Sequence, residues 1–235
     1  ERYYWASKYC ENKNVLECAC GAGQGAEILK SFANTYVAGD YDEKIVDIAE
    51  RNHKNKIKFH VFDACNSPFK NNSFDIVLIC EAIYYMPDIG KFINEAWRVL
   101  KPGGKVLIVT ANSSLYDFNK SPYTYVYPDV LTMSRLFIDH KFNFFSAEGG
   151  TDLSHTNRRQ KILRPLKFVA SKLNIIPKTM SGKAWLKKIF FGGSLLRMPE
   201  KISSKLVNVK LPKWISKKKN NKNYKVLYFV GEKFL

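Results

Sequence analysis

The feature that most constrains the fold is an alternation of short apolar runs with segments whose apolar residues recur at helical spacing. Val15–Ala19 is the first run; Gln24–Ala33 then has helical spacing, Thr35–Gly39 is a second run, Glu43–His53 a helix and Ile57–Phe62 a third run. Phe74–Cys80 is almost unbroken in apolar character, the pattern of a strand buried on both faces. Ile89–Leu100 reads as a helix stopped by Lys101-Pro102-Gly103-Gly104, and Lys105–Ala111 as a fifth strand. Strands joined through helical crossovers run parallel, and the helices cover both faces of the sheet. The fold class predicted is α/β, doubly wound.

Beyond Ala111 the regularity changes. Pro128–Phe137 has a helical pattern, and Phe142–Ala147 and Tyr224–Gly231 read as strands. From about Thr151 to Asn223 lies a basic stretch interrupted by Pro165, Pro177, Pro199 and Pro212. The chain thus divides into a core over residues 1–150, a basic helical insertion over 151–223 and a last core strand within 224–235. In the insertion, Trp185, Leu186, Ile189, Phe190 and Phe191 beside Lys183, Lys187 and Lys188 have the spacing of an amphipathic helix. Such a helix packs on the domain or lies at a membrane surface. The formal net charge of +17 favours anionic partners, whether nucleic acid, an anionic membrane surface or a phosphorylated substrate. No stretch approaches the ~18 apolar residues of a membrane span. The five cysteines lack a paired C-x-x-C pattern and read as reduced, structural residues of a cytoplasmic protein. The first residue is Glu1, which leaves room for a leader or helix before it.

The first run opens into Glu17-Cys18-Ala19-Cys20-Gly21-Ala22-Gly23-Gln24-Gly25. Glycines allow a sharp turn and close backbone approach to a ligand, and the following helix start offers unpaired N–H groups. Gly21-x-Gly23-x-x-Ala26 also satisfies a relaxed dinucleotide fingerprint, with Asp40 near the expected ~20 residues on. Glu17 separates the alternatives. An acid beneath the loop repels a pyrophosphate and helps hold a ligand that carries an ammonium. Asp40 ends the second run, where its carboxylate can accept two ribose hydroxyls, and Asp63 ends the third, placed to accept from an adenine amine. Three successive strands that end in acids, at the strand ends where open α/β sheets bind ligands, exceed what capping alone explains.

Over about Val15–Ala111 the sequence resembles the class I S-adenosylmethionine-dependent methyltransferases, in the subgroup like the ubiquinone-type enzymes. The resemblance rests on Glu17…Gly21-x-Gly23-x-Gly25, with Ala19 where glycine is usual, and on Gly39-Asp40, Asp63-Ala64, Ser67-Pro68-Phe69 and Ser73-Phe74-Asp75-Ile76-Val77. Glu95-Ala96-Trp97-Arg98-Val99-Leu100-Lys101-Pro102-Gly103-Gly104 is its most specific string. The family's fold implies a Rossmann-like, seven-stranded sheet with an antiparallel last strand, for which Tyr224–Gly231 is the candidate. The resemblance implies S-adenosyl-L-methionine as cofactor, with contacts from Glu17, Cys18, Ala19, Gly21, Gly23, Asp40, Tyr41, Asp63, Ala64 and Cys80. Glu81-Ala82-Ile83-Tyr84-Tyr85, Ser121-Pro122-Tyr123, Ile176-Pro177-Lys178 and Tyr224-Lys225-Val226-Leu227-Tyr228 look like methyltransferases of bacterial polysaccharide and lipopolysaccharide pathways.

Methyl transfer to a hydroxyl benefits from a general base. Glu81, Tyr84 and Tyr85 lie at the fourth strand's exit, and His155 precedes the basic stretch; these four are the candidate catalytic residues. His53 and His140 lie at helix ends, where capping is the ordinary role, and no metal-ligand cluster stands out. The expected acceptor is a small molecule or a sugar or glycan intermediate, met in the cytoplasm or at the inner membrane face. Competing readings are a tRNA or rRNA methyltransferase, motivated by the charge, and a binding protein that keeps the fold without catalysis.

Overall fold

The computed structural model describes residues 1–154, 163–166, 168–170 and 210–234. In chain order the elements are α1 (Arg2–Cys10), β1 (Asn14–Cys18), α2 (Ala26–Phe32), β2 (Thr35–Asp40), α3 (Glu43–Asn52), β3 (Phe59–Val61), β4 (Phe74–Cys80), a 3-10 turn (Ile83–Tyr85), α4 (Ile89–Val99), β5 (Leu100–Ala111), α5 (Val130–Asp139), β6 (Phe142–Asp152), β7 (Lys213–Trp214) and β8 (Tyr224–Lys233). They form one sheet in the order β3-β2-β1-β4-β5-β8-β6-β7. The first five strands are parallel; β8 runs antiparallel to β5 on one side and to β6 on the other. This is the doubly wound sheet with its antiparallel last strand, plus a two-residue eighth strand, β7, on the β6 edge.

The two-residue period of the strands sorts side chains into two cores. On β4, Val77 and Ile79 face a layer with Phe92 and Ile93 of α4 and Met133 and Phe137 of α5. Their neighbours Ile76 and Leu78 face the opposite layer, with Trp5 and Ala6 of α1 and Leu29 of α2. The unbroken apolar run Ile76–Ile79 is what burial on both sides demands. Helices α3, α4 and α5 start at Asp42, Asp88 and Asp129, whose side chains accept from Lys44, Lys91 and Thr132 backbone N–H groups at 2.9, 3.2 and 2.8 Å.

Three features differ from the sequence reading. Helix α1 was not anticipated; Tyr3, Ala6 and Cys10 have helical spacing, and Trp5 packs edge-on against Tyr228 at 4.9 Å. Lys101-Pro102-Gly103-Gly104 forms a bulge inside β5 rather than a turn before it, since the pairing passes from Phe74↔Leu100 directly to Ile76↔Lys105. Strand β6 continues to Asp152 and gains β7 as a partner, so the sheet reaches past the expected boundary at residue 150. The amphipathic pattern at Trp185–Phe191 lies outside the described residues. No helix among the described residues is long and apolar enough to cross a membrane.

At the lower rim, Lys233 of β8 is only 5% exposed. Its ammonium donates to the backbone oxygens of Trp97 and Leu100 at 2.8 and 2.7 Å and to Asn72 Oδ1 at 2.8 Å, and it lies 3.9 Å from the centre of the Trp97 indole. A cation at the carbonyl end of α4 complements the helix dipole.

Candidate active site

The chain runs outward from β1 through β2 to β3, then returns to β4 on the other side of β1. This reversal opens a crevice at the carboxyl ends of the strands, where ligands bind in such sheets. A cavity of about 1200 Å³ lies there. Its cofactor-like half is lined by Ala19, Gly21, Asp40, Tyr41, Asp63, Ala64 and Cys80; its other half by Glu81, Tyr84, Tyr85 and Tyr125.

The loop after β1 is a chain of tight turns. Ala19, Gly21 and Gly23 have φ of +52°, +57° and +74°. Cys20 N–H reaches Gly39 O at 3.0 Å, and Gly21 N–H donates to Asp40 Oδ2 at 3.0 Å, so the β2 acid is held against the loop. Gly25 has no room for a side chain because its Cβ would lie 2.1 Å from the Tyr3 ring. Ala19 has a Cβ in a backbone region that costs an L-residue roughly 1–2 kcal/mol. Ala19→Gly is therefore expected to stabilise the fold by about 0.5–1 kcal/mol, less than the strain because glycine gains unfolded-state entropy. Denaturant titration checks it; a lowered midpoint would refute the strain argument.

Three residues expected at the cofactor do not line the cavity. Glu17 and Cys18 are buried residues at the end of β1, and Gly23 turns toward His53 and Phe59, each within about 3 Å of where its Cβ would stand. Glu17 is 1% exposed; the Tyr36 hydroxyl donates to its carboxylate and the Tyr3 hydroxyl lies beside it. Burial pushes its carboxyl up to about 7. Asp63 accepts Cys65 N–H at 2.8 Å, and the loop that carries it is pinned by Glu95 of α4, which accepts the Ser67 N–H and hydroxyl at 2.8 and 2.6 Å.

At the β4 exit, Glu81 also has a left-handed backbone, φ +54°. Arg2 donates to its Oε1 from Nε at 3.0 Å and Nη2 at 2.5 Å, and the Tyr84 hydroxyl donates to Oε2 at 3.1 Å. Tyr84 stacks on Tyr127 at 4.3 Å and meets Tyr85 at 4.9 Å. Burial raises the pKa of Tyr84 and, less strongly, of Tyr85, so both phenols stay protonated and act as donors rather than bases. Of the catalytic candidates, Glu81, Tyr84 and Tyr85 share the cavity and His155 lies outside the described residues. Burial likewise raises all five thiols, consistent with cysteines that pack rather than react. His53, expected as an ordinary helix-end residue, is buried and donates from Nε2 to Gly23 O at 2.8 Å, bracing the glycine loop.

Sequence reasoning missed Arg2, Tyr3, Tyr36 and Tyr125. The first two belong to α1; Tyr36 and Tyr125 sit where no local pattern says which way a tyrosine points.

Residues 16–108 match the family model described as Methyltransferase domain. A probable S-adenosylmethionine-dependent methyltransferase of Mycolicibacterium smegmatis is 29% identical over 48% of this chain and 47% of its own length. The phthiotriol/phenolphthiotriol dimycocerosates methyltransferase 1 of Mycobacterium ulcerans is 38% identical over 40% of this chain and 36% of its own. The chain thus spans less than half the length of these relatives. Among solved structures, phosphoethanolamine N-methyltransferase 2 of Haemonchus contortus in complex with S-adenosyl-L-methionine superposes with a TM-score of 0.61 at 19% identity, over 100% of this chain and 52% of that one.

Proposed function

We propose, on the premise that this chain carries a class I methyltransferase domain, that it transfers a methyl group from S-adenosyl-L-methionine to a hydroxyl of a sugar or glycan intermediate. The observation that carries the cofactor reading is the charge of the cavity. In a chain of net charge +17, the charged residues lining this cavity are the acids Glu1, Asp40, Asp63, Glu81 and Asp88 against the bases Arg2 and Lys91. An acid-rich lining suits a ligand with a sulfonium and an ammonium and opposes a pyrophosphate or a nucleic-acid backbone.

When bound, the cofactor supplies a methyl group already activated on sulfur. The chain's own task is to position and to handle a proton. Asp40 keeps lone pairs for ribose hydroxyls beyond those that Gly21 and Asp42 N–H groups occupy. Glu81 is the group at the acceptor half suited to take a hydroxyl proton, with Arg2 balancing its charge and Tyr84 orienting it. The flat faces of Tyr84 and Tyr85 offer a wall for the C–H face of a sugar ring. A role for the basic insertion as a cover on the acceptor side draws support from the described residue Arg164, which donates to Asp117 at 2.9 Å and lies 4.7 Å from the Tyr116 ring, in the loop after β5. Contact with an anionic membrane surface through this basic cover fits an acceptor made at the membrane.

Calorimetry tests the cofactor reading. S-adenosylmethionine and S-adenosylhomocysteine are expected to bind and NAD not to; Asp40→Ala is expected to weaken binding by about 1.5–3 kcal/mol, the worth of hydrogen bonds to a charged group. Binding of NAD instead would overturn the reading. Labelled cofactor in fractionated cell extract identifies the acceptor: label in polysaccharide supports the glycan, and label in RNA or lipid replaces it.

A further inference from the structure

The strip at the β7 edge of the sheet carries more charge than its own pairing uses. Residues 210–223 hold Lys210, Lys213, Lys217, Lys218, Lys219 and Lys222 and no acid. Two of these lysines are engaged: the Lys217 ammonium donates to Phe144 O at 2.7 Å, and Lys213 Nζ lies 3.8 Å from Asp152. Lys218, Lys219 and Lys222 are exposed and have no acidic partner among the described residues. Lysines on an outer strand are an ordinary guard against pairing with other chains. A tryptophan among them works against that guard, and Trp214 is 68% exposed, with Leu211 at 44%.

The period of β7 holds Trp214 outward. It stands opposite Glu148, while its neighbour Ile215 donates its N–H to Ala147 O at 2.9 Å and packs into the layer of α4 and α5. Successive side chains of a strand take opposite faces, so an inward Ile215 sends Trp214 to the other face, where it stays uncovered. The strip also lies at the functional end of the sheet. Val226 of β8 pairs with Ala111, the last residue of β5, and Asn112 donates from Nδ2 to Asn221 O at 2.7 Å. The cavity opens at that same end, where the parallel strands finish.

The chemistry of the strip says what covers it. A half-wet indole and a leucine beside unpaired ammonium groups match the boundary of a bilayer, where tryptophan sits at headgroup level and lysine meets anionic lipid. A nucleic-acid backbone would engage the lysines and give Leu211 nothing. The acid-rich cavity repels an anionic surface, so the attraction has to come from beside it. We propose that this strip docks the chain on an anionic lipid bilayer, with Trp214 and Leu211 inserted at the headgroup boundary and Lys218, Lys219 and Lys222 on the headgroups. The proposal deepens the membrane contact of the reading above and rests on that part of it alone, not on the identity of the acceptor.

Sedimentation of the whole chain with lipid vesicles tests it. The chain is expected to bind vesicles of equal parts phosphatidylglycerol and phosphatidylcholine, to bind pure phosphatidylcholine far more weakly, and to lose affinity as salt rises. Lys218→Gln, Lys219→Gln and Lys222→Gln combined are expected to weaken binding to the anionic vesicles about 100-fold, at roughly fivefold for each charge near the surface. Trp214→Ala is expected to weaken it about tenfold, and Trp214→Phe less. Affinity for S-adenosylhomocysteine, read by calorimetry, should hold in every variant, since none of these residues lines the cavity, and it verifies that each is folded. Should Trp214→Ala lose that affinity, Trp214→Phe and the lysine variant decide. A wild type that ignores anionic vesicles overturns the proposal, and so does binding that both sets of substitutions leave intact. Binding of single-stranded RNA without binding of vesicles replaces the bilayer with nucleic acid. A wild type that binds the vesicles but not S-adenosylhomocysteine overturns the cofactor reading and leaves the docking strip standing.

Discussion

Replacing Glu17 with glutamine is expected to raise the stability of the fold by about 3 kcal/mol at pH 8 and by close to nothing at pH 4. The carboxyl is sealed inside β1, where burial pushes its pKa up to about 7 from an ordinary 4.5. Below the ordinary value, folded and unfolded chains both hold the proton and no charge is buried. As pH rises through about 7, the unfolded chain is already ionised and the folded chain must follow, so the stability present at low pH is lost across that window. A difference of that size, at 1.36 kcal/mol per unit, is worth about 3 kcal/mol. Glutamine keeps the shape and cannot ionise, so the gap in stability between the two proteins should open from pH 5 to 8 in urea titrations. Parallel curves for the two proteins would show that Glu17 does not carry a buried charge. Because Glu17 stands behind the cavity wall, its effect on S-adenosylhomocysteine affinity should be smaller than that of Asp40→Ala.

Lys233→Ala is expected to cost about 3 kcal/mol. The substitution removes the donor from the carbonyls of Trp97 and Leu100 and the cation from the Trp97 ring, and it strands acceptors that no water easily reaches. A buried group left unpaired costs about 1–3 kcal/mol, and a cation–π contact adds to that. Chemical denaturation measures it; a loss below about 1 kcal/mol would mean that water takes the ammonium's place.

The parallel half of the fold was legible because its signals are local. Phe74–Cys80 is read as a doubly buried strand from its composition alone, and the structure has that strand at those residues. The positions of Asp40 and Asp63 followed from strand ends and proved to line the cavity. Glu17 shows the limit of this reasoning. Sequence gives its place at the end of β1, but that its carboxyl is sealed from the cavity depends on Tyr36 and Tyr3 from two other elements. Helix α1 was illegible for a related reason: its nine residues are too short to declare a period strongly, and what makes them a helix is docking on Gly25 and Tyr228. The Arg2–Glu81 pair spans 79 residues, a separation no local pattern encodes.

The position of β8 has a consequence for how the chain is made. This strand, late in the sequence, is the central seam between β5 and β6, paired with both along most of its length. A chain emerging from the ribosome therefore presents β1 to β5 with a long buried edge still open at Lys105–Ala111, and β6 with no strand to join it to the sheet. An open apolar edge is a template for pairing with other chains. The parallel half must wait, through the synthesis of more than seventy residues after β6, for the strand that closes it. The Lys- and Asn-rich run just before Tyr224 emerges only at the end of that wait and places charge beside the strand that closes the edge.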